Sequence, residues 1–138
     1  MTQLTKSFSV SSRGNTDIVD ITPDVEEIVR SFGVKDGLAT VFVPGSTAGI
    51  TTIEFESGAV ADLKDAFERM CPEDIPYAHN ARWGDGNGHS HVRAAILGAS
   101  LSVPVAGARL LLGTWQQIVL VDFDNRPRTR EIVVRISG

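Results

Sequence analysis

The hydrophobic residues of this chain lie mostly in short runs of the kind that form β-strands. Eight runs rich in β-branched and aromatic residues are predicted as strands, at residues 8–11, 17–21, 38–43, 50–55, 101–105, 109–112, 117–123 and 131–136. Two longer segments carry apolar residues at helical spacing, one beginning at Thr22-Pro23 and the other spanning residues 57–70. A third, short helix is predicted at residues 91–97.

Strands therefore outnumber helices, and the chain lacks the alternating strand–helix series of nucleotide-binding α/β proteins. We expect a compact α+β fold with mixed or antiparallel sheets and two or three helices. No linker, repeat or low-complexity segment interrupts the sequence, so a single domain is predicted over residues 1–138. A domain of this size buries about two-thirds of its unfolded surface, and it needs no disulfide or structural metal to fold.

The composition points away from nucleic acids and membranes. The formal net charge is −4, whereas nucleic-acid-binding domains usually present a basic surface. No apolar stretch has the length of a membrane span, and the first residues lack the apolar core of a signal peptide. The single cysteine, Cys71, fits a reducing compartment. We expect a cytoplasmic protein with neither a nucleic-acid nor a membrane partner.

The three histidines, His79, His89 and His91, fall within thirteen positions. Neutral imidazole is a common metal ligand, and catalytic zinc favours three protein ligands and one open position. Whether the three can share an ion depends on the local backbone. His89 and His91 would point to the same face of a strand, but they would lie about 200° apart on a helix. The alternative is that all three are ordinary polar or surface histidines.

Other polar residues with chemical potential lie in turns and at strand ends. Asp85, which precedes Gly86-Asn87-Gly88, can orient a histidine, ligate a metal or act as a base, or it can simply begin a turn. The small-residue loop Gly45-Ser46-Thr47-Ala48-Gly49 can hold an anion with backbone N–H groups and two hydroxyls, although it lacks the Walker signature. Glu54 is expected either in a polar site or on a solvent-exposed face of its strand. Trp115 can stack on a heteroaromatic ring whose edge Gln116 contacts, or it belongs to the core.

Four segments together resemble the YjbQ-like family, often called the secondary thiamine-phosphate synthase family. They are Gly45-Ser46-Thr47-Ala48-Gly49-Ile50-Thr51-Thr52-Ile53-Glu54, Tyr77-x-His79, Asp85-Gly86-Asn87-Gly88-His89-Ser90-His91 and Leu111-Leu112-Gly113-Thr114-Trp115-Gln116. The similarity runs from about Thr5 to the C-terminus. The resemblance implies an α+β domain that forms a homotrimer, with a polar site built from the histidine-bearing segments near a subunit boundary.

Members of this family are associated with a weak thiamine-phosphate synthase activity, in which a hydroxymethylpyrimidine diphosphate joins a thiazole phosphate and releases diphosphate. The resemblance implies a transferase-type enzyme for a small anionic metabolite, with zinc or another divalent metal and no nucleotide cofactor. The residues expected to carry this chemistry are Glu54, Asp85, His89 and His91 as catalytic groups, Ser46, Thr47, Asn87, Arg93, Trp115 and Gln116 as substrate-binding groups, and His79, His89 and His91 as metal ligands.

One position departs from the family pattern. Much of the family has a histidine where this chain has Gly45, and His89 stands at a position that is often not histidine. We therefore hypothesise that His89 supplies the third imidazole. If the His89→Ala variant bound zinc with unchanged stoichiometry and affinity, the hypothesis would be disproved.

Two rival functions use the same residues. One is a zinc-dependent hydrolase or lyase for a phosphorylated or carboxylated metabolite, with Glu54 or Asp85 as the base for a metal-bound water. The other is a non-catalytic ligand-binding trimer.

Overall fold

The computed structural model describes residues 3–138, so Met1 and Thr2 of the predicted domain lie outside the described residues. Eight strands and four helices follow one another in this part of the chain. They are β1 (Gln3–Ser12), β2 (Asp17–Asp20), α1 (Thr22–Phe32), β3 (Gly37–Phe42), β4 (Ala48–Ile53), α2 (Ser57–Met70), α3 (Ala78–Trp83), α4 (Gly88–Leu97), β5 (Ser100–Ala106), β6 (Arg109–Leu110), β7 (Gln117–Asp122) and β8 (Arg128–Ser137). The predicted α+β class is confirmed, with one helix more than expected.

The strands form two antiparallel sheets that pack against each other. One has five strands in the order β1-β8-β3-β5-β6, and the other has three in the order β2-β7-β4. Central strand β7 has two buried faces. Ile118 and Leu120 join the core between the sheets, whereas Val119 and Val121 join a second cluster beneath the helices. Because both faces are covered, β7 has a continuous apolar run instead of an alternating pattern.

Helices α2 and α4 cover the outer face of the three-stranded sheet. The buried ring of Phe67 on α2 meets the ring of Phe123 edge-on, with centroids 4.7 Å apart. Helix α4 ends close to β4 because Gly49 has no side chain: a Cβ there would lie 2.7 Å from the carbonyl oxygen of Gly98. That oxygen accepts a hydrogen bond from the N–H of Ile50. This contact fixes α4 along β4, beside the loop that precedes the strand.

The core between the sheets ends in a pair of opposite charges. Alternation along β8 places Arg130 in the same inward row as Ile132, and alternation along β7 places Asp122 in the row of Leu120. Both charged residues are buried, with Arg130 only 5% exposed and Asp122 fully enclosed. A buried charge is tolerated when it is paired and hydrogen-bonded, and these two residues satisfy each other.

Three local predictions differ from the structure. The strand expected at residues 109–112 ends at Leu110, because the chain then turns and the side chain of Gln116 accepts the N–H of Gly113. Helix α4 begins at Gly88, three residues earlier than predicted, since the side chain of Asn80 accepts the first free N–H. Helix α3 lies in a segment expected to be irregular, and its six residues are too few to show an apolar period. None of the helices in residues 3–138 has the length and apolar character needed to cross a bilayer.

Candidate active site

Two of the three histidines meet where α3 and α4 pack together. The ring centroids of His79 on α3 and His91 on α4 lie 4.3 Å apart. Asp85, in the turn between these helices, brings its Oδ1 to 3.3 Å from Nε2 of His79. All three side chains are at least partly accessible to solvent. The segment that sequence analysis singled out therefore assembles a carboxylate and two imidazoles, which is a set of groups suited to proton transfer.

The side chain of Asn87 completes this group. With its amide nitrogen turned inward, Asn87 donates to Oδ1 of Asp85 at 2.9 Å and to Nε2 of His79 at 3.0 Å. The opposite orientation sets the amide oxygen against the carboxylate and gains only a 3.4 Å contact with Asp124. We favour the inward nitrogen because it makes two short hydrogen bonds. Neutral His79 then accepts at Nε2, and protonated His79 can donate from Nε2 to Asp85.

A cleft of about 300 Å³ adjoins His91. One wall is the segment Gly45-Ser46, and the rest consists of His91 and the small residues Ala48, Ala94, Ala95, Gly98 and Ala99. Within the described residues, the backbone N–H groups of Gly45, Ser46 and Thr47 donate no hydrogen bond. Successive unpaired N–H groups in a turn form an anion-binding concavity. We call residues 45–47 the anion loop, and it lies beside an imidazole.

A buried polar network supports the anion loop from behind. The hydroxyl of Thr47 donates to Asp124 at 3.3 Å and accepts from Nη2 of Arg130 at 2.7 Å. Arg130 binds Asp122 with Nε and Nη2, both at 2.8 Å, and Arg128 binds Asp124 at 2.6 Å. The hydroxyl of Thr47 is thus occupied inside the fold. Of the two groups with which Thr47 was expected to bind an anion, the hydroxyl and the backbone N–H, only the N–H has no partner in the protein.

These contacts shift the ionisation of the two groups that flank Thr47. Burial opposes the charged form of Asp124, but hydrogen bonds from Asn125 and Thr47 and the charge of Arg128 hold its pKa below the ordinary value. The hydrogen bonds with Asp122 raise the pKa of Arg130 further, against the effect of burial. Both residues therefore stay charged at neutral pH, and they fix the position of the anion loop.

The sequence did not single out Asp122 and Asp124, and it left Arg128 and Arg130 open between phosphate binding and solvated edge-strand positions. A signal was available in the pattern: two acids at alternate positions end an otherwise apolar strand, and two arginines at alternate positions follow the next turn. Alternation puts each pair on one face, so a hairpin brings the pairs together. Without knowing that this face is buried, the arginines resemble ordinary solvated residues.

His89 lies on the opposite side of α4 from His91, as two residues apart on a helix must. It is 2% exposed, its ring centroid is 6.4 Å from that of Tyr77, and Nε2 lies 3.5 Å from Oγ of Ser90. Burial and then the charge of Arg93 lower its pKa. Across residues 3–138, no group of three or more His, Cys, Asp or Glu side chains is placed to hold a metal ion. The predicted set of three imidazoles is therefore not assembled, and His89 does not take the place of a histidine at position 45.

Arg93, predicted to bind substrate, is an anchor of the fold. Its guanidinium donates twice to the carbonyl oxygen of Cys71, at 3.0 and 2.8 Å, and also to Thr16 at 2.9 Å and Glu68 at 2.6 Å. The residue is 4% exposed and lies with His89 on the side of α4 that faces α2. Every guanidinium nitrogen already has a protein partner, so nothing in the contacts of Arg93 supports the predicted substrate binding, which stays a prediction. Arg93 links α4 by hydrogen bonds to α2, to Cys71 after it and to the turn between β1 and β2. These partners are distant in the chain, so local sequence could not predict the contacts.

The remaining predicted residues lie at the far end of β4. Glu54 follows the last residue of the strand and borders an open groove with the 72% exposed Trp115. Gln116 is bonded to Thr52 and to the N–H of Gly113. At about 3.3 Å per residue, the strand separates Glu54 from the anion loop by about 20 Å. A single chain therefore brings Ser46, Asp85, Asn87 and His91 to the cleft region, with His79, but keeps Glu54, Trp115 and Gln116 apart from it.

Comparison with known proteins gives a consistent picture. A family model described as UPF0047 protein YjbQ-like matches residues 6–138. A UPF0047 protein of Methanothermobacter thermautotrophicus is 37% identical over 134 residues, which cover 97% of this chain and 92% of the relative. The UPF0047 protein YugU of Bacillus subtilis is 35% identical and covers 96% of this chain and 98% of its own length.

Solved structures agree with the sequence match. The crystal structure of a YbjQ-like protein of unknown function from Sulfolobus solfataricus has a TM-score of 0.94 and 36% identity, covering 99% of this chain and 98% of that chain. The hypothetical protein APE1520 from Aeropyrum pernix has a TM-score of 0.91 and 34% identity, covering 98% of each chain. Both the sequence match and the fold extend over nearly all of the residues, and the chain belongs to the YjbQ-like UPF0047 family.

Proposed function

We propose that this protein is an enzyme that binds the phosphate group of a small metabolite at the anion loop and transfers protons with His91 and His79. One observation carries the proposal: His91 borders the same cleft as Gly45 and Ser46, two residues of the anion loop whose N–H groups are unpaired, and His79 with Asp85 lies next to His91. Donors that are fixed in advance stabilise charge that develops on a leaving group. An imidazole nearby can supply or accept the accompanying proton.

The reaction that this site fits best is the thiamine-phosphate synthase reaction implied by the family resemblance. The lone pair of the thiazole nitrogen forms a C–N bond to the methylene carbon of the pyrimidine. The C–O bond to diphosphate breaks, and its electron pair leaves with the diphosphate. In this scheme the anion loop receives the departing diphosphate, and His91 donates a proton to it. His79, held by Asp85 and Asn87, passes a proton to His91 through a bridging water molecule.

Metal chemistry has no part in this scheme. The predicted ligands His79, His89 and His91 do not converge, because His89 lies on the other side of α4. The two accessible histidines and Asp85 do not by themselves form a group placed to hold an ion. The residues therefore do not fit the expected zinc site within one chain. Bound zinc stays a prediction of the family resemblance, and no step above depends on it.

We also propose that the protein acts as a homotrimer. The residues at the far end of β4 can join the histidines only if they come from a neighbouring subunit, since about 20 Å separates them along one chain. Large apolar side chains at that end are exposed, with Trp115 at 72% and Leu111 at 57%. Light scattering after gel filtration gives the subunit number. A blue shift of tryptophan emission with rising protein concentration would show that association covers an indole.

The enzymatic proposal is tested by following thiamine phosphate formation from the two purified substrates. We expect His91→Gln to lower kcat by about 100-fold or more, which is the usual contribution of a proton-transferring side chain. Asp85→Asn should lower kcat less, because Asp85 acts by orienting His79. The control is Asp62→Asn, which makes the same chemical change on the exposed side of α2.

Three outcomes distinguish the candidate functions. Activity that falls in His91→Gln but not in the control supports the proposed enzyme. Full activity in His91→Gln contradicts the role given to this histidine. Tight phosphate binding without any turnover by the wild-type protein contradicts the synthase reaction and favours the ligand-binding trimer.

A further inference from the structure

The backbone of the anion loop leaves an open space at Gly45. Its φ is +128°, in a region that L-residues rarely adopt. A Cβ built on Gly45 would lie 3.2 Å from Nη1 of Arg130, closer than side chains normally approach. No other atom comes within 4 Å of that position apart from the chain neighbours. The missing side chain therefore leaves one particular nitrogen facing the loop.

Nη1 is also the one guanidinium nitrogen of Arg130 that makes no hydrogen bond within residues 3–138. Nε and Nη2 are both used on Asp122, and Nη2 also donates to Thr47. Arginine has five N–H donors and no way to lose its charge near neutral pH. Arg130 is 5% exposed, so a buried and immobilised cation keeps two unused N–H donors beside Gly45.

Nη1 thus lies next to Gly45, in a loop where the backbone N–H groups of Gly45, Ser46 and Thr47 are unpaired. We propose that Arg130 is the residue that selects the anionic group of the ligand, binding a phosphate oxygen through Nη1 in the space that Gly45 leaves open. This inference rests on the proposed role of the anion loop. It adds a charged residue to a loop that otherwise offers only neutral donors.

The geometry indicates a phosphate or diphosphate group as the ligand. A tetrahedral phosphate has oxygens enough to accept from the loop and from the guanidinium together, and charge-assisted hydrogen bonds to phosphate are stronger than neutral ones. The salt bridge with Asp122 holds the guanidinium plane in place, so the donors are oriented before the ligand arrives. The pair also keeps Arg130 from folding outward and binding anions at the surface.

The experiment is a titration of the full-length, ¹⁵N-labelled protein with inorganic phosphate and with diphosphate. Arginine-selective spectra report the Nε–H of Arg130, and ordinary amide spectra report residues 45–47. The test variant is Gly45→Ala, whose methyl group fills the space beside Nη1. The control is Gly33→Ala, which also places alanine at positive φ (+69° in the wild type) but meets no atom within 4 Å.

We expect phosphate to shift the Arg130 signal and the three loop amides together in the wild type and in Gly33→Ala. Gly45→Ala should bind phosphate at least tenfold more weakly, because it loses a charge-assisted hydrogen bond. If phosphate shifts the loop amides but not Arg130 in the wild type, the inference is overturned while the anion loop stands. If neither shifts, the proposed function fails as well. The titration of the wild-type protein therefore tests the inference even if Gly45→Ala does not fold.

Discussion

Asp122→Asn is the substitution that most directly probes the buried charge pair. The change keeps the size of the side chain and removes its charge. Asp122 is fully buried and accepts two hydrogen bonds from Arg130 and one from the N–H of Asp124. After the change, the buried guanidinium of Arg130 loses its directly hydrogen-bonded counter-ion. Asp124 cannot replace Asp122, because its nearest oxygen is 4.0 Å from Nη2 of Arg130 and already binds Arg128.

The expected cost follows from these contacts. Breaking a buried ion pair by removing one partner costs about 3–5 kcal/mol, most of it from the charge that is left behind. Replacing both partners with apolar residues removes that charge, so Asp122→Leu combined with Arg130→Met should be much less harmful. The double variant removes the donor that Arg130 gives to the Thr47 hydroxyl and the acceptor of the Asp124 N–H, at about 1 kcal/mol each, while the Thr47 hydroxyl keeps its bond to Asp124. We therefore expect a loss of about 2 kcal/mol for the double variant.

Urea unfolding at one fixed protein concentration measures both values, since self-association would otherwise add a concentration-dependent contribution to stability. The control is again Asp62→Asn, which should stay within about 0.5 kcal/mol of the wild type. A loss below about 1 kcal/mol for Asp122→Asn would contradict the view that this pair ties the two sheets together. Equal losses of stability in the double variant and in Asp122→Asn would also contradict it, because removing both charges should cost less than leaving one buried charge unpaired.

Two further predictions concern the side of α4 that faces α2. Arg93→Gln should lower the free energy of unfolding by about 2–3 kcal/mol, since it removes charge-assisted hydrogen bonds from a buried site, whereas exposed Arg69→Gln should change it little. If Arg93→Gln kept the stability of the wild type but bound phosphate more weakly, Arg93 would act as a substrate-binding residue. His89 has a pKa lowered by burial and then by Arg93, so the unfolded chain binds more protons than the folded protein below the ordinary value near 6.5. Thermal stability should therefore fall as the pH drops below about 6.5, and His89→Gln should flatten that slope. Parallel slopes for both proteins would disprove the effect.

The strands of the fold could be predicted from sequence because the burial pattern repeats along them. Strand β7 has an unbroken apolar run and β8 alternates, and both patterns were visible without any structure. Helix α2 was likewise marked by its apolar stripe, which Phe67 anchors. Helix α3 could not be predicted, because six residues between two turns carry no period that distinguishes a helix from a loop.

The sequence predicted candidate residues within two local segments, but not the contacts between residues that are distant in the chain. His79, Asp85, Asn87 and His91 come from one segment, and they do lie together. Contacts of Arg130 with Thr47 span 83 positions, and nothing in either neighbourhood indicates the other. The opposite error occurred with His89, which is close to His91 in sequence and on the wrong side of the helix. The spacing in the sequence identified the three histidines as candidates. The rotation of about 100° per residue along α4 places His91 near His79 and keeps His89 on the other side.

Helix α4 links the stability of the fold to the chemistry proposed for it. One side of the helix is buried: Ser90 and Arg93 hydrogen-bond to other elements, and the ring of His89 lies near that of Tyr77. The other side brings His91 to the cleft, together with the small residues Ala94 and Ala95. Because the helix is rigid, the position of His91 depends on anchors that never contact a ligand. A substitution at Arg93 should therefore reduce kcat through the placement of His91 while leaving phosphate binding at the anion loop intact, since the network of Asp122, Asp124 and Arg130 holds that loop independently.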